Sequence, residues 1–169
     1  MANIKPELFW PLVNPRIVTQ KFGERLANYY GSLGHPGWDM VGVLKQTIRC
    51  AHNGTVTKCG VDDRGRGWIV QVRHSKEPSF ETLYGHLFEP PLMKIGDKVF
   101  CGQALGYVGL TGLTTGAHLH FELHRDGTPI DPASYWNGMS AEEYLSISNQ
   151  LKVLAEKVAS LIKIWVSRK

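Results

Sequence analysis

Cysteine is scarce in this chain: Cys50, Cys59 and Cys101 are the only three among 169 residues. An odd number with no CxxC spacing argues against a disulfide framework and reads as free, buried thiols in a reducing compartment. Long apolar runs are also missing. No window reaches the roughly 18 uncharged apolar residues of a membrane-spanning helix, although 43% hydrophobic and 20% charged residues are ordinary for one globular domain. The opening stretch "MANIKPELFWPLVNPRI" has one Lys, an early Pro and no apolar segment ending in small residues, so it does not read as a secretory signal. Without such a signal, Asn53-Gly54-Thr55 reads as a turn and not as a glycosylation acceptor. No internal repeat or low-complexity tract is visible. Charge of one sign is absent from most of the chain and gathered at its end. Residues 150–169 hold five basic groups against one acid, a surplus equal to the whole chain's net charge of +4.

What is present is β-rich. From about Arg16 to Leu123, short segments rich in β-branched and aromatic residues alternate with Gly, Asn and Asp. The candidate strands are "RIVTQKF", "GWDMV", "TIRCA", "GTVTKC", "GWIVQVRH", "FETLYGHL", "KVFCGQALGYVG" and "AHLHFEL", joined as antiparallel hairpins through turns such as Asn53-Gly54 and Asp62-Asp63. "DPASYW" reads as one short helical turn. From Ser140 the period changes: Ser140 and Glu143 fit a capping box, and Tyr144, Ile147, Leu151, Leu154, Val158, Leu161 and Trp165 recur at alternating spacings of three and four. The expected organisation is a mainly β domain over 1–139 and a basic amphipathic helix over 140–169. That helix could pack on the domain, pair with another helix, or lie on an anionic membrane surface.

The segment "TTGAHLHFEL" carries two histidines one residue apart. On a strand, His118 and His120 share one face while Leu119 and Phe121 share the other. Such a pair alone is weak evidence for a metal, so further donors matter. His35 stands in "GHPGWD", where Pro36 and Gly37 argue against a helix and Asp39 follows at the fourth position. One imidazole and one carboxylate from this turn, with one imidazole from the strand, make three N/O ligands for zinc. Structural zinc sites usually close their tetrahedron with Cys or His, whereas three ligands leave a position for water or substrate. Spacing does not say which of His118 and His120 holds the metal.

"HPGWD", "YGHL" (84–87), "KIGDKVFCGQALGYVG" and "LTGLTTGAHLHFEL" occur in the order of four blocks of the lysostaphin/LytM-type zinc endopeptidases, which cut bacterial peptidoglycan, and the chain resembles that family from about Val18 to Pro132. The resemblance implies a mainly β, open-barrel-like domain of antiparallel sheet with short helical turns. It implies one Zn2+ per chain held by His35, Asp39 and His120, with His86 and His118 as catalytic histidines beside it. It also implies that a Tyr upstream of the first motif, Tyr29 or Tyr30, donates a hydrogen bond to the oxyanion. Glu122 and His124 continue the ligand face of the strand. Glu122 reads as a residue of the sheet margin, with orientation of a ligand as the alternative. His52 and His74 match no block and read as surface or structural residues.

The expected activity is hydrolysis of stem-peptide or cross-bridge bonds, with peptidoglycan as partner and no nucleic acid. The motif set leaves open glycyl bridges, D-Ala to diaminopimelate links and stem peptides, with loops 60–67 and 75–80 shaping the pocket. Lack of an export signal, pro-segment and wall-binding repeat leads to the expectation of a phage endolysin or virion-borne enzyme, made in the host cytoplasm and released to the wall or carried in the virion. Three other readings compete. A non-enzymatic wall-binding or activator relative is disfavoured by the complete ligand set. A biotin- or lipoyl-carrier domain is suggested by "GDKVFCGQALG" but lacks the lysine-bearing turn. A virion structural part is the third.

Overall fold

The structure is a computed structural model in which residues 5–25 and 34–166 are described. Tyr29 and Tyr30 lie outside the described residues. Among the described residues, twelve strands, one 3-10 turn and one α-helix follow one another: β1 Leu8–Trp10, β2 Val18–Gln20, β3 Trp38–Val41, β4 Thr47–Arg49, β5 Gly54–Asp62, β6 Gly67–His74, β7 Phe80–Leu87, β8 Lys98–Val99, β9 Ala104–Tyr107, β10 His118–Arg125, β11 Thr128–Ile130, the turn Pro132–Tyr135, β12 Trp136–Ser140 and α1 Ala141–Val166.

The main sheet runs in the order β2-β3-β10-β7-β6-β5-β8, with β11 beside the second half of β10. Its neighbours are all antiparallel. Among the described residues the two ends of this path do not meet, so the sheet is open and no closed barrel forms. Strand β10 lies inside this sheet, between β3 and β7. Leu119, Phe121 and Leu123 are fully buried on one face, packed with Met40, Tyr84 and Leu87 in a single core. Burying each such side chain stabilises the fold by about 1.5–3 kcal/mol. Because side chains alternate, this burial turns His118, His120, Glu122 and His124 to the opposite face.

Two strand pairs flank the sheet. β4 pairs with β9, and the parallel pair β1–β12 carries Trp10 and Trp136, which pack with Trp38 and Phe121. β6 and β7 match the sequence reading at both ends. The segment expected as one strand over 98–109 divides into β8 and β9, because β8 joins the main sheet beside β5 whereas β9 pairs with β4. Cys50 and Cys101 are buried and Cys59 half-buried, all as free thiols.

The capping box at the start of α1 is formed: Ser140 Oγ accepts from Glu143 N–H at 3.1 Å, and the Glu143 carboxylate accepts from Ser140 N–H at 2.7 Å. Ala141 is buried and Tyr144 packs on Phe9 with ring centroids 4.4 Å apart. Beyond that first turn the seam predicted from the sequence lies open, with Ile147, Leu151, Leu154, Val158 and Leu161 all exposed. No helix among the described residues is long and apolar enough to cross a membrane.

His52 is structural. It is buried, with Nδ1 donating to the Asn53 carbonyl at 3.0 Å and Nε2 2.8 Å from Thr82 Oγ1. Burial pushes its pKa down to about 3. The unfolded chain binds a proton there near the ordinary value of 6.5 and the folded chain does not, so stability falls as pH drops from about 6.5 toward 3. Each pH unit in that window costs at most about 1.4 kcal/mol from this residue. Urea midpoints at pH 7 and pH 5 should differ less in His52→Asn than in the parent chain; an equal difference would remove His52 as the cause.

Candidate functional site

The register of β3 against β10 places Asp39 directly across from His120. The loop entering β3 brings His35 to the same point, and it can do so because Gly37 has no side chain. A Cβ there would lie 2.2 Å from the Phe121 carbonyl oxygen. Three donor atoms meet: His35 Nε2 is 3.2 Å from His120 Nδ1 and 3.2 Å from Asp39 Oδ1, and His120 Nδ1 is 2.9 Å from Asp39 Oδ1. All three residues are buried, and among the described residues they form the one cluster able to hold a metal ion. Ligands at the usual 2.0–2.1 Å from a tetrahedral zinc stand about 3.3 Å apart, so the triangle has the right size as well as the right chemistry.

Each imidazole of the triangle is held from behind. His35 Nδ1 donates to the Lys21 carbonyl at 3.3 Å, which leaves Nε2 as the lone-pair nitrogen. His120 Nε2 lies 2.7 Å from Glu122 Oε1, which leaves Nδ1 for the triangle. The sheet-margin reading of Glu122 is thereby corrected. The residue is fully buried, and its carboxylate meets His120, His124 and the Arg66 guanidinium, which in turn reaches Asp62 at 3.1 Å. Burial raises the Glu122 pKa, but hydrogen bonds from His120 and His124 and the charge of Arg66 outweigh it and hold the carboxyl well below the usual range. Burial likewise opposes ionisation of Asp39, and its contacts with His118, His120 and His35 override that, so Asp39 stays a carboxylate. Without a metal, the two carboxylates flanking His120 overcome burial and push its pKa up to about 9.

Two further histidines stand beside the triangle, with ring centroids 4.7 Å apart. His86, near the end of β7, donates from Nδ1 to the Thr111 carbonyl at 2.7 Å, which makes Nε2 the unprotonated nitrogen. Burial pushes its pKa down to about 4, so the ring is neutral at pH 7. Its backbone has φ +56°, a left-handed conformation costly for a non-glycine residue, held by His86 N–H donating to the Arg66 carbonyl at 2.7 Å and Gly109 N–H donating to the His86 carbonyl at 2.9 Å. His118 donates from Nδ1 to the Gly116 carbonyl at 2.8 Å. Its Nε2 is buried 3.4 Å from Asp39 Oδ1 and has no hydrogen bond of its own among the described residues.

These groups edge a groove of about 160 Å³ lined by Pro36, Arg64, Gly65, Arg66, His86, Leu113 and His120. One wall is the β5–β6 hairpin tip, tied to the 111–113 loop by Leu113 N–H donating to the Gly65 carbonyl at 2.7 Å. The two backbones approach so closely that a Cβ on Gly112, at φ +79°, would lie 2.3 Å from that same carbonyl oxygen. Of the loops expected to shape the pocket, 60–67 does so. Ser75 and Lys76 instead border a separate pocket with His52 and His74. His35, Asp39, His86, His118 and His120 thus come together as their motifs suggest. Arg66 and Asp62 had no motif to announce them, and Thr111, although inside the block "LTGLTTGAHLHFEL", acts through a backbone carbonyl that no side-chain pattern signals.

Comparison with known proteins places this geometry in context. The Lipoprotein NlpD/LppB homolog of Pseudomonas aeruginosa is 38% identical over 105 residues, covering 62% of this chain and 34% of that protein. Peptidoglycan DD-endopeptidase ShyC of Vibrio cholerae is 31% identical over 135 residues, covering 76% of this chain and 30% of that protein. This chain therefore spans about a third of the length of these curated relatives. Among solved structures, a zinc-containing peptidase from Vibrio cholerae matches with a TM-score of 0.64 and 27% identity, over 75% of this chain and 39% of that one. Peptidase family M23 matches residues 33–132. That segment runs from the loop before β3 to just past β11, more than half of the chain, and the chain belongs to peptidase family M23.

Proposed function

We propose that this domain is a zinc-dependent endopeptidase acting on peptide bonds of bacterial peptidoglycan. The observation that carries the reading is the donor triangle of His35 Nε2, Asp39 Oδ1 and His120 Nδ1 beside two histidines whose Nδ1 protons are both given to backbone carbonyls. Family membership and the similarity to ShyC support the substrate class. Those three side chains would hold the zinc. When bound, the ion supplies Lewis acidity, drawing electrons from the scissile carbonyl and bringing the pKa of a water down toward about 7.

The remaining chemistry belongs to the chain. His86 and His118 each offer an Nε2 lone pair at a nitrogen that its fixed tautomer leaves unprotonated. One takes the proton of the attacking water and gives it to the leaving amine. Because burial makes protonated His86 more acidic than an ordinary imidazolium, it gives that proton up more readily. Once protonated, either ring donates from Nε2 to the oxyanion. Glu122 and Lys21 keep the two ligand imidazoles in the tautomers that face the triangle.

We also propose that the open length of α1 docks on an anionic lipid surface. Its exposed seam of Ile147, Leu151, Leu154, Val158 and Leu161 is accompanied by Lys152, Lys157 and Lys163 against Glu156 alone, which is charge complementary to such a surface. A truncation that tests this must spare β12, which pairs with β1, and Tyr144, which packs on Phe9.

Chelation should abolish release of peptide fragments from purified sacculi, and added zinc should restore it. His120→Ala should lose stoichiometric zinc, whereas His86→Ala should keep it and lose about 10²–10⁴ in kcat. Full activity in a zinc-free sample would overturn the reading. Glu122→Gln, checked for folding by circular dichroism, should bind zinc about 10- to 100-fold more weakly in chelator competition; unchanged affinity would remove Glu122 from the site. Ending the chain after residue 146 should preserve sacculus hydrolysis while abolishing sedimentation with phosphatidylglycerol vesicles. Equal sedimentation of both forms, or a dimer of the longer form alone, would refute lipid docking.

A further inference from the structure

We propose that Arg64 forms a carboxylate subsite in the groove, so that the peptide cleaved here carries a free carboxylate on the residue beside the scissile bond. This rests on the endopeptidase reading of the same groove and narrows its substrate.

Most of the charge around this groove is already paired. Asp39, Glu122 and Asp62 are the carboxylates bonded to its lining residues His120 and Arg66. Arg66 pairs with both Glu122 and Asp62, and Asp39 belongs to the donor triangle. With a divalent ion held in the triangle, that ion and the Arg66 guanidinium would balance these three carboxylates without Arg64. The Arg64 side chain is exposed and lines the same groove as His86 and His120. Among the described residues its guanidinium has no ion-pair partner. The neighbouring Asp63 is exposed and is not part of the groove lining.

The position of this cation is fixed by the backbone that carries it. Arg64 N–H donates to Asp62 Oδ2 at 3.3 Å, Asp62 is itself held by Arg66, and Gly65 is held by Leu113. The tip is thus anchored on both sides of Arg64, and the side chain overhangs the groove from a rigid base. A planar guanidinium offers a fork of N–H donors that matches a carboxylate in two parallel hydrogen bonds. Opposite charge in a cleft also concentrates an anionic peptide before it binds. A run of glycines would present only backbone dipoles to this group and gain neither effect. Leu113, exposed on the facing wall, adds an apolar contact suited to the methylene stem of an acidic side chain. Together, a stem-bearing acid next to the cleaved bond fits the groove, and a neutral glycyl bridge does not.

The test uses the full zinc-loaded chain and two synthetic peptides with the same D-alanyl scissile bond. One carries a free carboxylate on the residue that supplies the leaving amine, and in the other that carboxylate is amidated; pentaglycine serves as a third substrate. The parent enzyme should show a KM about tenfold lower for the acid than for the amide and little turnover of pentaglycine. Arg64→Gln should erase the acid-over-amide preference in KM, and Arg64→Lys should restore part of it. Equilibrium binding of the acid and amide peptides, measured by calorimetry, should show the same preference and the same loss. Pentaglycine as the favoured substrate, or an Arg64→Gln effect equal for acid and amide, would overturn the proposal. Should the parent enzyme cleave none of the three, the endopeptidase reading fails, while the binding comparison still decides whether Arg64 recognises a carboxylate.

Discussion

The cross-strand pairing of His120 with Asp39 is the constraint on which the site depends. It is a consequence of register, and the register is held from the other face of the sheet. Leu119, Phe121 and Leu123 are fully buried, and a slip of one residue would exchange them for His118, His120 and Glu122. The apolar face loses its burial in that exchange, and the polar face loses its partners. A hydrophobic core of ordinary composition thereby sets the Asp39 and His120 donor atoms opposite one another, 2.9 Å apart.

The polar side of the same strand is organised as a chain of charge. His124, Glu122 and His120 alternate along β10, and Arg66 and Asp62 extend the series into the neighbouring hairpin. Buried ionic groups are costly unless every member is paired, and here each carboxylate meets at least one cation or imidazole. The arrangement holds the triangle's imidazoles in position before any ion arrives, so ion binding asks for loss of the His120 Nδ1 proton and little movement of the rings.

Much of this was legible in the sequence because the informative signals are short-range. Strand alternation in "HLHFEL" gives the shared face of His118 and His120, and the four motif blocks give the remaining partners. The capping box and the seam of α1 were also readable from spacing alone. What escaped depends on contacts between distant segments. β1 and β12 are each short, and β12 contains Gly138, so neither resembles a strand until the other is beside it. Alternation showed which way Glu122 points but not that an arginine 56 residues away comes to meet it. Arg66 sits in a glycine-flanked turn that reads as a solvated hairpin tip, and only the fold shows its side chain turned inward.

Arg66 has a second attachment that bears on how this domain can change. Its side chain supports Glu122, while its backbone carbonyl accepts the amide proton that holds His86 in a left-handed conformation. The turn that overhangs the groove is therefore also the scaffold that seats His86 beneath it. Groove shape and the seat of His86 are mechanically coupled: swapping this hairpin for one of different length would unseat the left-handed residue in the same step.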